Sequence, residues 1–214
     1  MSRENLEQTA VKAIDPKPKL EELRQLLQNG APSNGSAKAL NGKAAEDLQG
    51  IEQISHELFR RAPTDFLTRS SVDTLAQIAA EASRCLRRYL TGNKPFIVEA
   101  LNHADADERS HYTTFVTVLA DRPFIVDTVS EFMRVRGLRI HCLLHPIHEH
   151  DDGRRISLMY LEVDHIEDPA KAKTIVAQLE SYLNELLAVT EDFSSILARV
   201  ETSARILESE VPLD

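Results

Sequence analysis

Apolar residues recur at helical spacing through the first part of the chain and change rhythm near residue 95. In residues 19–29 (KLEELRQLLQN), Leu20, Leu23, Leu26 and Leu27 share one helical face, and Gly30 offers a stop. Residues 31–43 (APSNGSAKALNGK) are small, polar and glycine-bearing, which predicts a flexible linker. Residues 1–45 are therefore expected to form a flexible segment with at most one short helix. Residues 46–61 place Leu48, Ile51, Ile54, Leu58 and Phe59 on one face, an amphipathic helix broken at Pro63. Phe66 and Leu67 fall in a short connecting turn. A second helix is expected from a Ser70 or Ser71 cap to Leu90, with Leu75, Ile78, Ala79, Ala82, Leu86 and Leu90 inward and Gly92 as its end. The two helices predict a helical hairpin over 46–94.

From Pro95 the pattern is that of strands and helices in alternation. Residues 96–101 (FIVEAL) and 112–119 (YTTFVTVL) read as strands, separated by a polar loop over 103–110. Asp121-Arg122-Pro123 reads as a turn that puts proline at the first helical position, and residues 124–136 as a helix with Ile125, Val129, Phe132, Met133 and Val135 toward the core. Gly137 stops it. A long strand over 138–150 is disturbed at Pro146, which lacks a ladder donor. Asp151-Asp152-Gly153 is a hairpin turn and residues 155–163 (RISLMYLEV) the returning strand. Asp168 caps a helix that starts at Pro169 and runs to about Leu187, with Ile175, Val176, Leu179, Tyr182, Leu183 and Leu186 as its stripe. A short last strand is placed at 187–189, and a final helix over 193–210 carries Ile196, Leu197, Val200, Ile206 and Leu207.

The order from Tyr112 is strand, helix, strand, strand, helix, strand: an α+β, ferredoxin-like βαββαβ unit. With the N-terminal helical hairpin and the C-terminal helix it predicts four segments. These are a flexible segment over 1–45, the hairpin over 46–94, the βαββαβ unit over 95–193 and a helix over 194–214.

Composition narrows the partners. Hydrophobic residues make up 42% of the 214, enough for a packed core. A formal net charge of -9 disfavours nucleic acid and anionic membrane surfaces. Two cysteines, Cys85 and Cys142, are too few for a disulfide framework and fit a reducing compartment. The N-terminus has no signal-peptide apolar stretch, and no apolar run is long enough to span a bilayer, so a cytoplasmic location is expected.

Candidate chemistry is sparse. His141 and His145 would lie about 13 Å apart on a strand, too far to share an ion. His148 and His150 would share a face at about 7 Å and chelate with a third group such as His165. No CxxC or HExxH spacing accompanies them, and the plainer reading is solvated histidines near a hairpin. Asp151 and Asp152 are turn residues, and Asp164 ends a strand. Cys142, expected to share a face with Ile140 and Leu144, reads as a buried inert thiol. No Ser-His-Asp arrangement is identifiable from spacing, so no catalytic residue and no metal ligand is assigned.

Two stretches carry a family resemblance. Asp121-Arg122-Pro123-Phe124-Ile125-Val126-Asp127-Thr128, Arg136-Gly137-Leu138-Arg139-Ile140-His141 and His145-Pro146 are followed by Asp168-Pro169 and Val189-Thr190-Glu191-Asp192-Phe193. In this order they resemble the N-terminal region of the large bacterial NAD-dependent glutamate dehydrogenases, whose parent reaction is the oxidative deamination of glutamate to 2-oxoglutarate. The resemblance implies an ACT-like module upstream of catalysis, serving regulation or assembly. It places the NAD site and the catalytic lysine in a later domain, and no GxGxxG occurs in these residues. No cofactor is therefore expected in this chain.

In ligand-binding ACT domains the turn after the first strand usually contains a glycine, and the helix behind it receives an amino-acid carboxylate. The resemblance thus implies an effector site near Asp121, Arg122, Phe124, Ile125 and Thr128. Against it, Phe124 stands where the glycine would be and would fill the space, Pro123 removes one amide donor, and a helix start needs such residues anyway. The expected partners are other domains of the same enzyme, a second copy, or an amino-acid effector. Self-association is expected as a dimer through a sheet edge, with 139–144 as the donor strand, or through helix faces; the final helix folding back over the sheet is the competing outcome. A stand-alone amino-acid-binding regulator and a metal-dependent enzyme using His148 and His150 are the alternatives.

Overall fold

A computed structural model of the chain describes residues 17–28, 45–103 and 109–210. The linker expected over 31–43 and most of the polar loop before residue 109 lie outside the described residues. The chain divides into two units, one ending at Ala80 and the other beginning at Glu81. Among the described residues no helix is long and apolar enough to cross a membrane.

In the first unit, α1 (Lys17–Gln28) buries Leu23 and Leu27 and packs on α2 (Ala45–Phe59), which buries Ile51, Ile54, Leu58 and Phe59. The expected connecting turn is instead a short helix, α3 (Thr64–Arg69), with Phe66 and Leu67 buried. Pro63 both ends the run before it and stands at its N-cap. So short a helix leaves its last carbonyls without intrahelical donors. Lys19 Nζ supplies them, donating to the Leu67, Thr68 and Ser70 carbonyls at 2.9, 2.8 and 2.9 Å. The next helix, α4 (Val72–Thr91), is capped by Ser71, whose Oγ accepts from the Thr74 amide at 3.1 Å.

In the second unit the strands are β1 (Phe96–Asn102), β2 (Tyr112–Ala120), β3 (Ile140–Leu144), β4 (Ile147–Glu149) and β5 (Arg155–Asp164). They form a sheet of order β1-β2-β5-β3, with β4 also on β5 and every pairing antiparallel. The strand predicted over 138–150 is split at His145-Pro146, as a missing amide requires. Between β2 and β3 runs α5 (Ile125–Val135); after β5 come α6 (Pro169–Thr190) and α7 (Phe193–Glu210). Asp168 caps α6, its carboxylate accepting from the Ala170 amide, with Pro169 in the first turn. Gly137, at φ 70, closes α5 with the Leu138 amide bonded to the Met133 carbonyl, and a side chain there would be strained.

Both faces of the sheet are buried. On one face Phe115, Leu119, Met159, Leu161 and Val163 pack with Val129, Phe132 and Met133 of α5 and with Ile175, Leu179 and Leu183 of α6. On the other, Ile97, Val116, Val118, Leu158 and Tyr160 are also buried. The C-terminal half of α4 is tied to that side: Glu81 pairs with Arg109, and Arg84 and Arg88 pair with Glu99 of β1. Two covered faces explain why β2 and β5 are nearly continuous buried runs.

The α+β, ferredoxin-like arrangement holds, with particular corrections. Residues 187–189 are not a strand; they lie within α6. In a βαββαβ sheet that strand would lie beside the first one, β2, at the edge; here β1 occupies the place, antiparallel to β2. The helix after β2 starts at Ile125, so Pro123 is not its first residue. Val135 is 63% exposed and Tyr182 42%, because α5 and α6 each turn part of their stripe to solvent. A bulge between Ile140 and Cys142 gives them different faces: Ile140 packs on the main core, while Cys142 is buried outside it.

Candidate functional site

The turn between β2 and α5 gathers the residues expected at an effector site. At the end of β2 the Asp121 amide donates to the Arg155 carbonyl at 2.9 Å, and its carboxylate meets the Arg155 guanidinium at 3.1 Å. Arg122 is half-buried. Its Nη1 donates to the Leu187 carbonyl at 3.3 Å and to Thr190 Oγ1 at 3.1 Å, both at the end of α6. A cation at that helix end is favoured by the exposed carbonyl dipoles. The Nε of Arg122 is buried without a partner among the described residues.

Phe124 adopts the left-handed region, φ 69 and ψ 8, and is the N-cap of α5. That is the conformation a turn glycine would take, and it is uncommon for a bulky side chain. The ring does not fill the turn, contrary to the expectation from residue type. It is 51% exposed and meets Phe193 edge-on, with ring centroids 5.5 Å apart. Ile125 lies in the core at 2% exposure, and the Thr128 amide is spent on the Phe124 carbonyl at 2.9 Å. The structure thus brings Arg122 and Phe124 together against the α6–α7 corner, keeps Asp121 in an ion pair, and assigns Ile125 to packing.

A second polar group that the sequence did not disclose involves Asp121. His145 is half-buried, its Nε2 2.7 Å from Oγ of the buried Ser157. Burial pushes the His145 imidazole below its ordinary pKa, and the Asp121 carboxylate opposes the shift. Ser157 has no exposed surface, so a Ser-His-Asp reading has no accessible nucleophile. The signal for this contact is the β3–β5 register, which depends on the bulge at 140–142 and the break at Pro146.

Of the other candidate histidines, His141, His148 and His150 are less solvated than expected, while His165 is exposed. His141 contacts the Asp164 carboxylate at 2.7 Å and is close to the Tyr112 ring, and hydrogen bonding to His141 holds the Asp164 carboxyl below the usual range. His148 is buried, with its ring 6.1 Å from that of His150, which approaches Asp152 at 3.8 Å. Among the described residues no three of His, Cys, Asp or Glu are grouped to hold a metal ion. Cys85 and Cys142 are both buried free thiols, and burial raises the pKa of Cys85. A groove of about 390 Å³ runs between Ala100 and Asn102 of β1 and Pro169 to Glu180 of α6, and a cleft of about 770 Å³ lies along α1 and α2. Neither is lined by the β2–α5 turn.

Comparison with known proteins adds three findings. The family model described as "Glutamate dehydrogenase, ACT1 domain" matches residues 54–179, more than half of the chain. An NAD-specific glutamate dehydrogenase of Halomonas elongata is 25% identical over 191 residues, a match covering 79% of this chain and 11% of that relative. No solved structure matches the chain.

Proposed function

We infer the role of this chain from the premise that it belongs to the glutamate dehydrogenase ACT1-domain family. It serves as a non-catalytic regulatory and assembly region of a large NAD-dependent glutamate dehydrogenase, with hydride transfer and NAD binding carried by other parts of that enzyme. The match over residues 54–179 carries this reading. It is supported by the chemistry of the polar residues, which close turns, cap helices and tie α4 to the sheet. The test compares the enzyme encoded by the native reading frame with a version lacking residues 1–214. Glutamate oxidation is expected to survive in part, with altered assembly mass or effector response. Glutamate-dependent NAD reduction by the isolated chain would overturn the reading.

An amino-acid effector at the β2–α5 turn is the finer proposal. The unpartnered, buried Nε of Arg122 favours it, because a buried donor without an acceptor is costly and a carboxylate would satisfy it. Calorimetry with glutamate and aspartate tests it: saturable binding lost in Arg122→Gln supports a sensor, and flat isotherms remove it. A stand-alone regulator is the competing role; a native frame that stops at Asp214 would favour it. Self-association is proposed through a sheet edge. The candidates are β3, shortened by its bulge and followed by Pro146, and the seven-residue β1, which has an even register. Light scattering over a concentration series decides; a monomer mass throughout ends this proposal for the isolated chain.

A further inference from the structure

We propose that Arg122 and Phe124 form a latch that fixes the start of α7 against the β2–α5 turn, so that the turn and the α6–α7 corner open and close together. Three observations meet here. First, the described side chains of α7 from Ser195 to Leu207 are all exposed, and Phe193 is half-buried at its start. The contact of Phe193 is the ring of Phe124 at 5.5 Å, nearly perpendicular at 89°. Second, Arg122 grips the other side of the corner. It donates to the Leu187 carbonyl and to Thr190 Oγ1, and the Thr190 hydroxyl in turn donates to the Leu186 carbonyl at 2.6 Å. The last turn of α6 is thereby tied to the turn that precedes α5. Third, Phe124 is the one non-glycine residue with positive φ among the described residues, and its ring is half in solvent. A core role does not account for the strained backbone; presenting the ring to Phe193 does.

Pro123 lies between the two grips and fixes its own φ, so Arg122 and Phe124 are coupled through a stiff link. Displacing Nη1 of Arg122 from the Leu187 carbonyl and Thr190 Oγ1 frees the end of α6, and a rotation of the turn that carries Phe124 away releases Phe193. The latch rests on contacts within the chain and stands apart from the effector proposal.

Hydrogen exchange on the 214-residue chain tests it, comparing amides 193–200 with those of β2 and β5 in Phe193→Ala, Phe124→Gly and Arg122→Gln. The expected result is exchange about threefold to tenfold faster over 193–200, with β2 and β5 unchanged. Phe124→Gly is the diagnostic variant: glycine takes the left-handed conformation freely, so the global unfolding midpoint holds or rises while α7 loosens. Wild-type exchange over 193–200 in both Phe124→Gly and Phe193→Ala overturns the latch. If Arg122→Gln speeds exchange throughout the sheet, Arg122 is needed for the fold, and the two phenylalanine variants alone decide.

Discussion

Arg109 and Glu81 form a two-pronged ion pair, at 2.9 and 3.3 Å, with the arginine side chain only 2% exposed. Glu81 sits on α4 and Arg109 just before β2, so the pair ties the helix to the far face of the sheet. Removing one partner of such a pair leaves a desolvated charge behind, which costs more than the pair itself contributes. We predict that Glu81→Ala destabilises the chain by about 3 kcal/mol, at the low end because Glu81 is partly exposed. The double variant Arg109→Met/Glu81→Leu should lose much less. Urea unfolding of the singles and the double checks this; a double as damaged as the single would refute the charge argument.

Thr117 gives the opposite expectation. It is fully buried on the core face of β2, and its hydroxyl has no partner among the described residues. Thr117→Val keeps the branched shape and removes the unsatisfied group. A gain of about 1 kcal/mol is expected, read as a higher urea midpoint at unchanged slope. A clear loss would mean that the hydroxyl is satisfied in solution.

Gly137 carries a purely conformational load. A Cβ there would meet nothing within 4 Å, yet φ is 70. Gly137→Ala should cost about 1 kcal/mol, and Gly137→Asn, which tolerates this region, less. Thermal unfolding of the two variants separates strain from packing; equal losses would argue against strain.

His145 sets a pH dependence. Its folded-state pKa is depressed by burial, so the unfolded chain takes up the proton first as pH falls through the ordinary value of 6.5. Stability is therefore full above that value and declines as pH drops from it toward the lower folded-state pKa. The shifted carboxylates, Glu131, Asp152 and Asp164, act at more acidic pH. His145→Gln should flatten the fall of the urea midpoint as pH drops below about 6.5, relative to the native chain. An identical slope in the variant would exclude His145 as the source.

The long periodic elements were legible because their signals are local. Leu75, Ile78, Ala82 and Leu86 mark α4 at helical spacing, and the Asp168-Pro169 pair marks the start of α6. The strand placed at 187–189 failed because Leu186, Leu187 and Val189 fit a helix's last turn as well as a strand, and the vacancy beside β2 was already filled from upstream. α3 was hidden by its length, since six residues hold too few periods to read, and its stabiliser, Lys19, lies 48 residues from Leu67. At the candidate site, Arg122 and Phe124 were visible as residue types, but the left-handed backbone and the contact with Phe193 depend on tertiary placement. His145 and Ser157 meet only through a register that a bulge sets.

The edge position of β1 has a consequence for the order in which the second unit is assembled. Its partner β2 follows after a short loop, Phe96 pairing with Leu119 and Asn102 with Thr113. A strand placed after α6 would instead have to return to β2 across some seventy residues of chain, with a larger loop-closure penalty. Because β5 ends at Asp164, every strand of the sheet precedes α6 in the chain and emerges from the ribosome before it. The ladder can therefore be complete during synthesis while the face that α6 will cover still lies open, and α6, with Leu179 and Leu183, closes the core last.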